Sequence, residues 1–262
     1  AGRRRVRLLA RVGRATNDFF EYTGGLTLLS AESAGFLFRL RIRVGETISQ
    51  CALLGVQSLV IVVLTSLFTG MVISLESAQQ AVAYGFSNLV GGAVAYASVR
   101  ELGPMLTAVV VAGRVGAAIA AELGSMVVTE QIEALRSMGL EPARFLVVPR
   151  LLALLLMLPL LTIFADVVSI LGGAWIAQEY AHIPFDSFIA SVRESIGFVD
   201  VVKGLVKTFV FATIIAMVGA YQGLSTRGGA AGVGKSTTFS VVLAIILIFG
   251  SNFVLSFLLF NK

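Results

Sequence analysis

Charge is scarce in this chain: 13% of its 262 residues are Asp, Glu, Lys or Arg, and there is one cysteine, one histidine, one tryptophan and five prolines. A soluble globular domain carries about 25% charged residues, so that class is excluded. A lone Cys51 allows no internal disulfide, and with only His182 beside it no zinc or thiolate centre can be assembled. His182 reads as a loop residue. Neither a metal nor a cofactor is expected, and no side-chain set suggests a catalytic role. So few prolines leave no Pro-rich linker to divide the chain. Arginines are not interleaved with a stacking surface of aromatics, which argues against a nucleic-acid partner.

What is abundant is apolar. Hydrophobic residues make up 57% of the chain, glycines number 27, and mean hydropathy is +0.92. Each crossing of about 30 Å of hydrocarbon takes roughly 20 apolar residues. Residues 51–75, 102–128, 151–176 and 237–260 qualify directly, and 204–224 is apolar after Lys207. Continuous apolar runs, rather than alternating ones, favour helices over a barrel, since lipid offers no partner to an unpaired backbone group. The expectation is an all-α integral membrane protein with about five transmembrane helices, preceded by interfacial amphipathic helices.

Orientation follows from the basic residues. Residues 1–50 carry nine arginines; Arg136, Arg144 and Arg150 follow the second run, and Arg227 and Lys235 follow the fourth. The other side has Arg100, Arg193, Lys203, Lys207 and Lys262. This bias places the N-terminus in the cytoplasm, and the net charge of +5 suits topology and anionic headgroups. Two organisational parts are expected: an interfacial segment, 1–50, and a transmembrane domain, 51–262. In the first, Arg3, Arg4, Arg5, Arg7, Arg11 and Arg14 alternate with Val6, Leu8, Leu9 and Val12. Farther on, Phe36, Leu37, Phe38, Leu40 and Ile42 alternate with Arg39, Arg41 and Arg43. Both patterns suit helices lying in the membrane plane. A disordered basic tail fits the first dozen residues equally well.

Gly113, Gly116, Ala117, Ala120, Ala121 and Gly124 recur at spacings of three and four, a smooth stripe for close helix approach inside the bundle or at a subunit seam. Arg114 and Glu122 interrupt the same run, Glu101 stands at its outer end, and Asp166 lies in the third run with Thr162 and Ser169 as hydrogen-bonding company. Intramembrane charges must face protein or water. For Arg114, and similarly for Asp166, two readings stand: snorkelling or pairing within the bundle, or contact with a polar substrate headgroup or a gating pair.

Between the second and third runs, residues 129–142 form a short polar helix. Thr129 is expected to cap it, Glu130 and Glu133 suit its positive end, and Gly139 with Pro142 closes it. Ile132, Leu135 and Met138 fall on one stripe, with Glu133 and Arg136 elsewhere. Such a helix suits docking on another protein; an ordinary inter-helix loop is the plainer reading. Residues 229–236 satisfy the pattern G-x-x-x-x-G-K-S. No strand precedes them and no acidic partner is near. They are expected to form a tight cytoplasmic turn, with Ser236 or Thr237 capping the last span.

In order along the chain, ELGPMLTAVVVAGRVGAAIAAELGSM, EQIEALRSMGLEP, FLVVPRLLA and GGAAGVGKSTT resemble the MlaE family of ABC transporter permeases, also called the YrbE or TGD type. The likeness covers roughly residues 45–262. It implies a homodimeric permease with cytoplasmic ABC ATPase subunits, an MCE-domain protein on the outer face, and room for a small accessory subunit. The substrate implied is phospholipid or a related hydrophobic molecule. ATP hydrolysis would belong to the partner subunit, so the chain itself is not an enzyme. The membrane implied is a bacterial inner membrane, or a plastid inner envelope in a eukaryote.

The resemblance also implies roles for residues. Glu130, Glu133, Leu135, Arg136, Gly139 and Pro142 fall in the ATPase-coupling segment, where Leu135 departs from the small residue usual there. Ile73, Glu76, Gln80 and Tyr84 map to a lipid cavity. Residues 70–84 do turn from apolar to amphipathic, as a lipid cavity or a span meeting water requires. Glu101 and Lys207 face the exit, and Asn252 stands where the family often has an acidic residue. An ion-coupled secondary transporter or channel is the alternative. Its coupling site would have to come from Arg114, Glu122 and Asp166, and no inverted repeat is visible.

Overall fold

A computed structural model describes residues 2–38, 43–86 and 89–260, and every regular element among them is helical. Five helices are long and apolar enough to cross a membrane: Val44–Ala81, Val90–Val128, Ala143–Ala181, Phe198–Leu224 and Gly229–Phe260, the first to fifth spans. The chain is therefore a multi-pass, all-α membrane protein, as the hydropathy implied. Each span begins earlier than its apolar run, because polar and glycine-rich residues continue the helix beyond the hydrocarbon. Three further helices lie outside the spans: α1 (Gly2–Phe38), α2 (Gln131–Ser137) and α3 (Phe185–Ser195).

Several hydroxyls inside the spans are satisfied within their own helix. Ser58 donates to the Leu54 carbonyl at 2.6 Å, Thr65 to Ile61 at 2.8 Å, and Thr162 to Leu158 at 2.9 Å, so these polar groups cross lipid without an unpaired donor. The first and third spans pack along their length, and Ser74 Oγ donates to the Gly173 carbonyl between them at 2.6 Å. The second span lies against the fourth. Gly116, Ala120 and Gly124 are buried there, facing Gly219, Gly223 and Thr226. Gly116, Ala120 and Gly124 of the small-residue stripe thus form an internal seam, while Ala117 and Ala121 are half-buried and Gly113 is exposed. Around it Val62, Ile119, Leu123, Leu154, Leu158, Phe211 and Ile215 form the main core. The fifth span remains mostly uncovered, with Phe253 75% and Leu258 67% exposed.

α1 is one continuous helix, so the basic N-terminal segment is helical from Gly2 onward. Of the second basic-apolar stretch, residues 39–42 lie outside the described residues. Tyr22 Oη accepts a hydrogen bond from Gln222 Nε2 at 3.0 Å, and its ring meets Tyr221 edge-on at 4.8 Å between centroids. Burial pushes the Tyr22 phenol up from its usual pKa, so it stays neutral. Phe36 packs on Ala143 and Val148. α3 was not anticipated, although Phe185, Phe188, Ile189 and Val192 have amphipathic spacing. Its Phe188 is buried beside Val90 and Val94, and the Gly92 N–H donates to Ser191 Oγ at 2.9 Å.

Two local expectations are corrected. The turn between the fourth and fifth spans is made before Gly229, at Ser225 to Gly228, where Gly228 has φ 91°. Residues 229–236 are already helical, and Thr237 Oγ1 donates back to the Val233 carbonyl at 2.8 Å, so neither Ser236 nor Thr237 caps the span. The phosphate-loop pattern is therefore a stretch of span. Thr129 does not cap α2 either: its hydroxyl donates to the Ser125 carbonyl at 2.9 Å, closing the second span. The residue before α2 is Glu130, in the left-handed region at φ 61°.

Candidate functional site

Among the described residues four helical stretches in the spans are π-type, widened to hydrogen bonds five residues back: Cys51–Val56, Ser98–Leu102, Ala112–Gly116 and Ala143–Val147. Such turns interrupt the regular ladder and re-aim side chains. Ser98–Leu102 carries Glu101, and Ala112–Gly116 carries Arg114.

Glu101 meets the fourth and fifth spans in one polar cluster. Lys207 Nζ donates to Glu101 Oε1 at 2.9 Å, to the Arg100 carbonyl at 2.7 Å and to Ser256 Oγ at 2.8 Å. Asn252 Nδ2 donates to Glu101 Oε2 at 3.0 Å, and Ser256 Oγ donates to the same oxygen at 2.9 Å. The sequence-expected trio Glu101, Lys207 and Asn252 is thus brought together, although the third member is an amide. Lys207 is 0% exposed, and its three N–H donors are all used. It can reach a ligand only by releasing one of these partners. Asn252 Oδ1 is buried without a partner among the described residues. Gly204 permits this approach, since a Cβ there would fall on the Val99 carbonyl of the second span.

Sequence reasoning missed Ser256, Arg100 and Phe260. Ser256 lies one turn beyond Asn252, a spacing that could have found it. The Arg100 guanidinium sits 3.9 Å from the Phe260 ring centroid and 4.3 Å from that of Tyr96, and its Nε is 3.5 Å from Asp200. These cation–π contacts hold the C-terminal end of the fifth span to the second.

The other intramembrane charges stand apart from that cluster. Glu122 pairs with Arg150 of the third span at 2.8 Å. Arg114 donates to Ser58 Oγ at 2.7 Å and Gln57 Oε1 at 2.9 Å, both in the first span. Asp166 is buried, and its Oδ1 has no partner among the described residues. The hydroxyls expected to help it are engaged elsewhere: Ser169 pairs with Ser98 at 2.9 Å, and Thr162 with its own helix. Ile73 is half-buried on the first span, while Glu76, Gln80 and Tyr84 are exposed at successive turns beyond it.

α2 is short and asymmetric. Ile132 is buried and Leu135 half-buried, whereas Met138 is 65% exposed. The apolar stripe therefore divides, with Ile132 spent on this chain's own packing. Glu130, Glu133 and Arg136 are exposed and have no ion pair among the described residues. Gly139, at φ 73°, ends the helix: its N–H donates to the Arg136 carbonyl and that of Leu140 to Leu135, both at 3.0 Å. This left-handed stop is the expected one, and only glycine adopts it without strain. Pro142 then opens the return to the third span.

The chain as a whole is similar to known proteins. A family model described as Permease MlaE matches residues 47–258. A probable ABC transporter permease protein of Synechocystis is 44% identical over 221 residues, covering 84% of each chain. One from Rickettsia typhi is 34% identical over 95% of this chain and 96% of its own. Protein TRIGALACTOSYLDIACYLGLYCEROL 1, chloroplastic, of Arabidopsis thaliana is 38% identical over 82% of this chain and 62% of its own. The matched region covers all but the outermost residues of the first and fifth spans, the whole of the other three, the Glu101 cluster and α2, and the chain belongs to the MlaE family of ABC transporter permeases.

Proposed function

We propose that this permease moves phospholipid, or a related hydrophobic molecule, between a bacterial inner membrane and an MCE-domain channel, driven by separate ATPase subunits. A plastid inner envelope is the equivalent site in a eukaryote. In this reading the N-terminus is cytoplasmic, residues 1–50 form an interfacial segment, and residues 51–262 form the transmembrane domain. Two copies of the chain enclose a lipid path lined by Ile73, Glu76, Gln80 and Tyr84, with Glu101, Lys207 and Asn252 near its exit. The assembly has room for a small accessory subunit. The name of the Arabidopsis relative refers to a galactosyl diacylglycerol, which supports a lipid cargo.

The observation that carries the proposal is the presentation of α2. It is joined to the second span by Thr129 and Glu130 and to the third by Met138 to Pro142, so force on it reaches both spans. Glu133, Arg136 and Met138 are exposed and free to engage an ATPase. Glu130, Leu135, Gly139 and Pro142 shape that contact. The test is co-purification. The wild-type chain retains its ATPase subunit in detergent, Glu133→Lys loses it, and coupled lipid movement stops; unchanged association and transport would remove α2 from the coupling path.

A further inference from the structure

Arg114 stands in the second span as a cation without an anion. Among the described residues no carboxylate lies within ion-pair distance, and its two acceptors are the neutral Ser58 Oγ and Gln57 Oε1. Ser58 is itself fixed, since its proton goes to the Leu54 carbonyl at 2.6 Å. A guanidinium has five donors, so most of this one has no acceptor in the described protein. Neutral acceptors orient the charge but do not cancel it, and an unneutralised cation inside a membrane costs about 3 kcal/mol or more.

The surroundings are open and built for an anion of one shape. Arg114 is half-buried, Gln57 is exposed, and a Cβ on Gly113 would meet nothing within 4 Å. Arg114 sits in the π-type turn Ala112–Gly116, and Gln57 and Ser58 open the regular helix that follows the π-type turn Cys51–Val56. Val56, Val60 and Ile61 are 61%, 67% and 43% exposed beside it, an apolar flank fit for acyl chains. A planar guanidinium matches two phosphate oxygens at once. The site is separate from the Glu101 cluster, about 20 Å of helix away at about 1.5 Å per residue.

We infer that Arg114, held by Gln57 and Ser58, binds a phosphate group in the membrane, and that in the working transporter this is the headgroup phosphate of a phospholipid at a station before the Glu101 cluster. The inference rests on the proposed lipid cargo for its role in transport. The binding site itself rests on the geometry alone.

The test is photolabelling of the full chain in phosphatidylcholine nanodiscs doped with a phosphatidylglycerol that carries a photoactivatable group beside its phosphate. Peptides containing Gln57 or Arg114 should be labelled. Arg114→Gln should lower that labelling by about tenfold, the loss of one charge-assisted contact, while Arg114→Lys keeps part of it. Gln57→Ala, which leaves the cation in place, guards against a folding failure and should give a smaller drop. A diacylglycerol with the same photoactivatable group but no phosphate should not label these peptides. Competition by added inorganic phosphate would assign the site to free phosphate instead of a headgroup, with the same arginine chemistry. Equal labelling in Arg114→Gln, or by the diacylglycerol, overturns the site. Loss of ATPase co-purification in Glu133→Lys is scored separately, so failure of the coupling proposal and failure of this site are distinguishable.

Discussion

Lys207 Nζ donates to the Arg100 carbonyl at 2.7 Å, an acceptor whose α-helical partner four residues on would be Pro104, which has no N–H to give. The proline opens a gap in the second span, and a lysine from the fourth fills it. The same ammonium then holds Glu101 and Ser256, so one side chain joins three spans. Lys207 is fully buried while the Glu101 side chain is 37% exposed, so the lysine is the member most dependent on its partners.

That arrangement predicts strong coupling. Lys207→Met should destabilise the detergent-solubilised chain by about 1–2 kcal/mol, because it leaves a partly exposed Glu101 without its cation. Combined with Glu101→Gln, the loss should fall short of the sum of the single losses by about 1–2 kcal/mol. Pro104→Ala supplies the missing N–H, so in the Lys207→Met background it should recover about 1 kcal/mol. Thermal melts of the single and combined variants decide it; strict additivity would mean that Lys207 does not serve the Arg100 carbonyl and Glu101 together.

The spans and the charged residues within them were legible in the sequence, since lipid permits so few solutions. Glu101 and Lys207 could be singled out because charge at membrane depth is rare. That they meet Ser256 was not legible, because a serine in an apolar helix is common and only its position one turn from Asn252 distinguishes it. α3 was passed over as a connection, its amphipathic face being too short to register beside the spans. The π-type turns leave no compositional trace. The glycines at 229–236 suggested a turn, yet the chain turns at Ser225 to Gly228 and then runs as helix. Positive φ at Gly228 and Gly229 is sufficient for that reversal, and the later glycines sit within the span.

α2 should show two opposite responses along its length. Ile132 is 5% exposed, and Ile132→Ala should cost about 2–4 kcal/mol of stability through the cavity it leaves. Glu133 is exposed and free of ion pairs among the described residues, so Glu133→Ala should change stability by less than about 0.5 kcal/mol while weakening ATPase co-purification. Parallel melting and pull-down measurements separate the two roles. A large stability loss in Glu133→Ala would show that its side chain supports this chain's own fold.

Gly139 offers a purely conformational test. Its φ of 73° lies in the left-handed region, and a Cβ there would touch nothing within 4 Å. Substitution therefore meets only backbone strain: Gly139→Val should cost about 1–2 kcal/mol, and Gly139→Asn less. Because the stop sets how α2 is joined to the third span, Gly139→Val should also reduce transport per ATP hydrolysed. Equal stability of the valine and asparagine variants would contradict the left-handed stop.

Asp166 and Gly103 form the tightest fit among the intramembrane polar groups. A Cβ on Gly103 would fall on Asp166 Oδ1 and lie 2.8 Å from the Ser98 carbonyl, so Gly103→Ala should destabilise by about 1–3 kcal/mol through overpacking. Asp166→Ala removes the obstructing oxygen and should partly rescue that variant. Asp166→Asn tests the other half of the relationship. Its Oδ1 has no hydrogen-bond donor among the described residues, and Ser98 and Ser169 are paired with each other, so loss of the acid removes a burden without breaking a contact. The asparagine variant should melt at the same temperature as the wild type or higher. A loss above about 1 kcal/mol would instead mean that the carboxylate holds a partner in the membrane, since removing a charged partner costs more than removing an idle one.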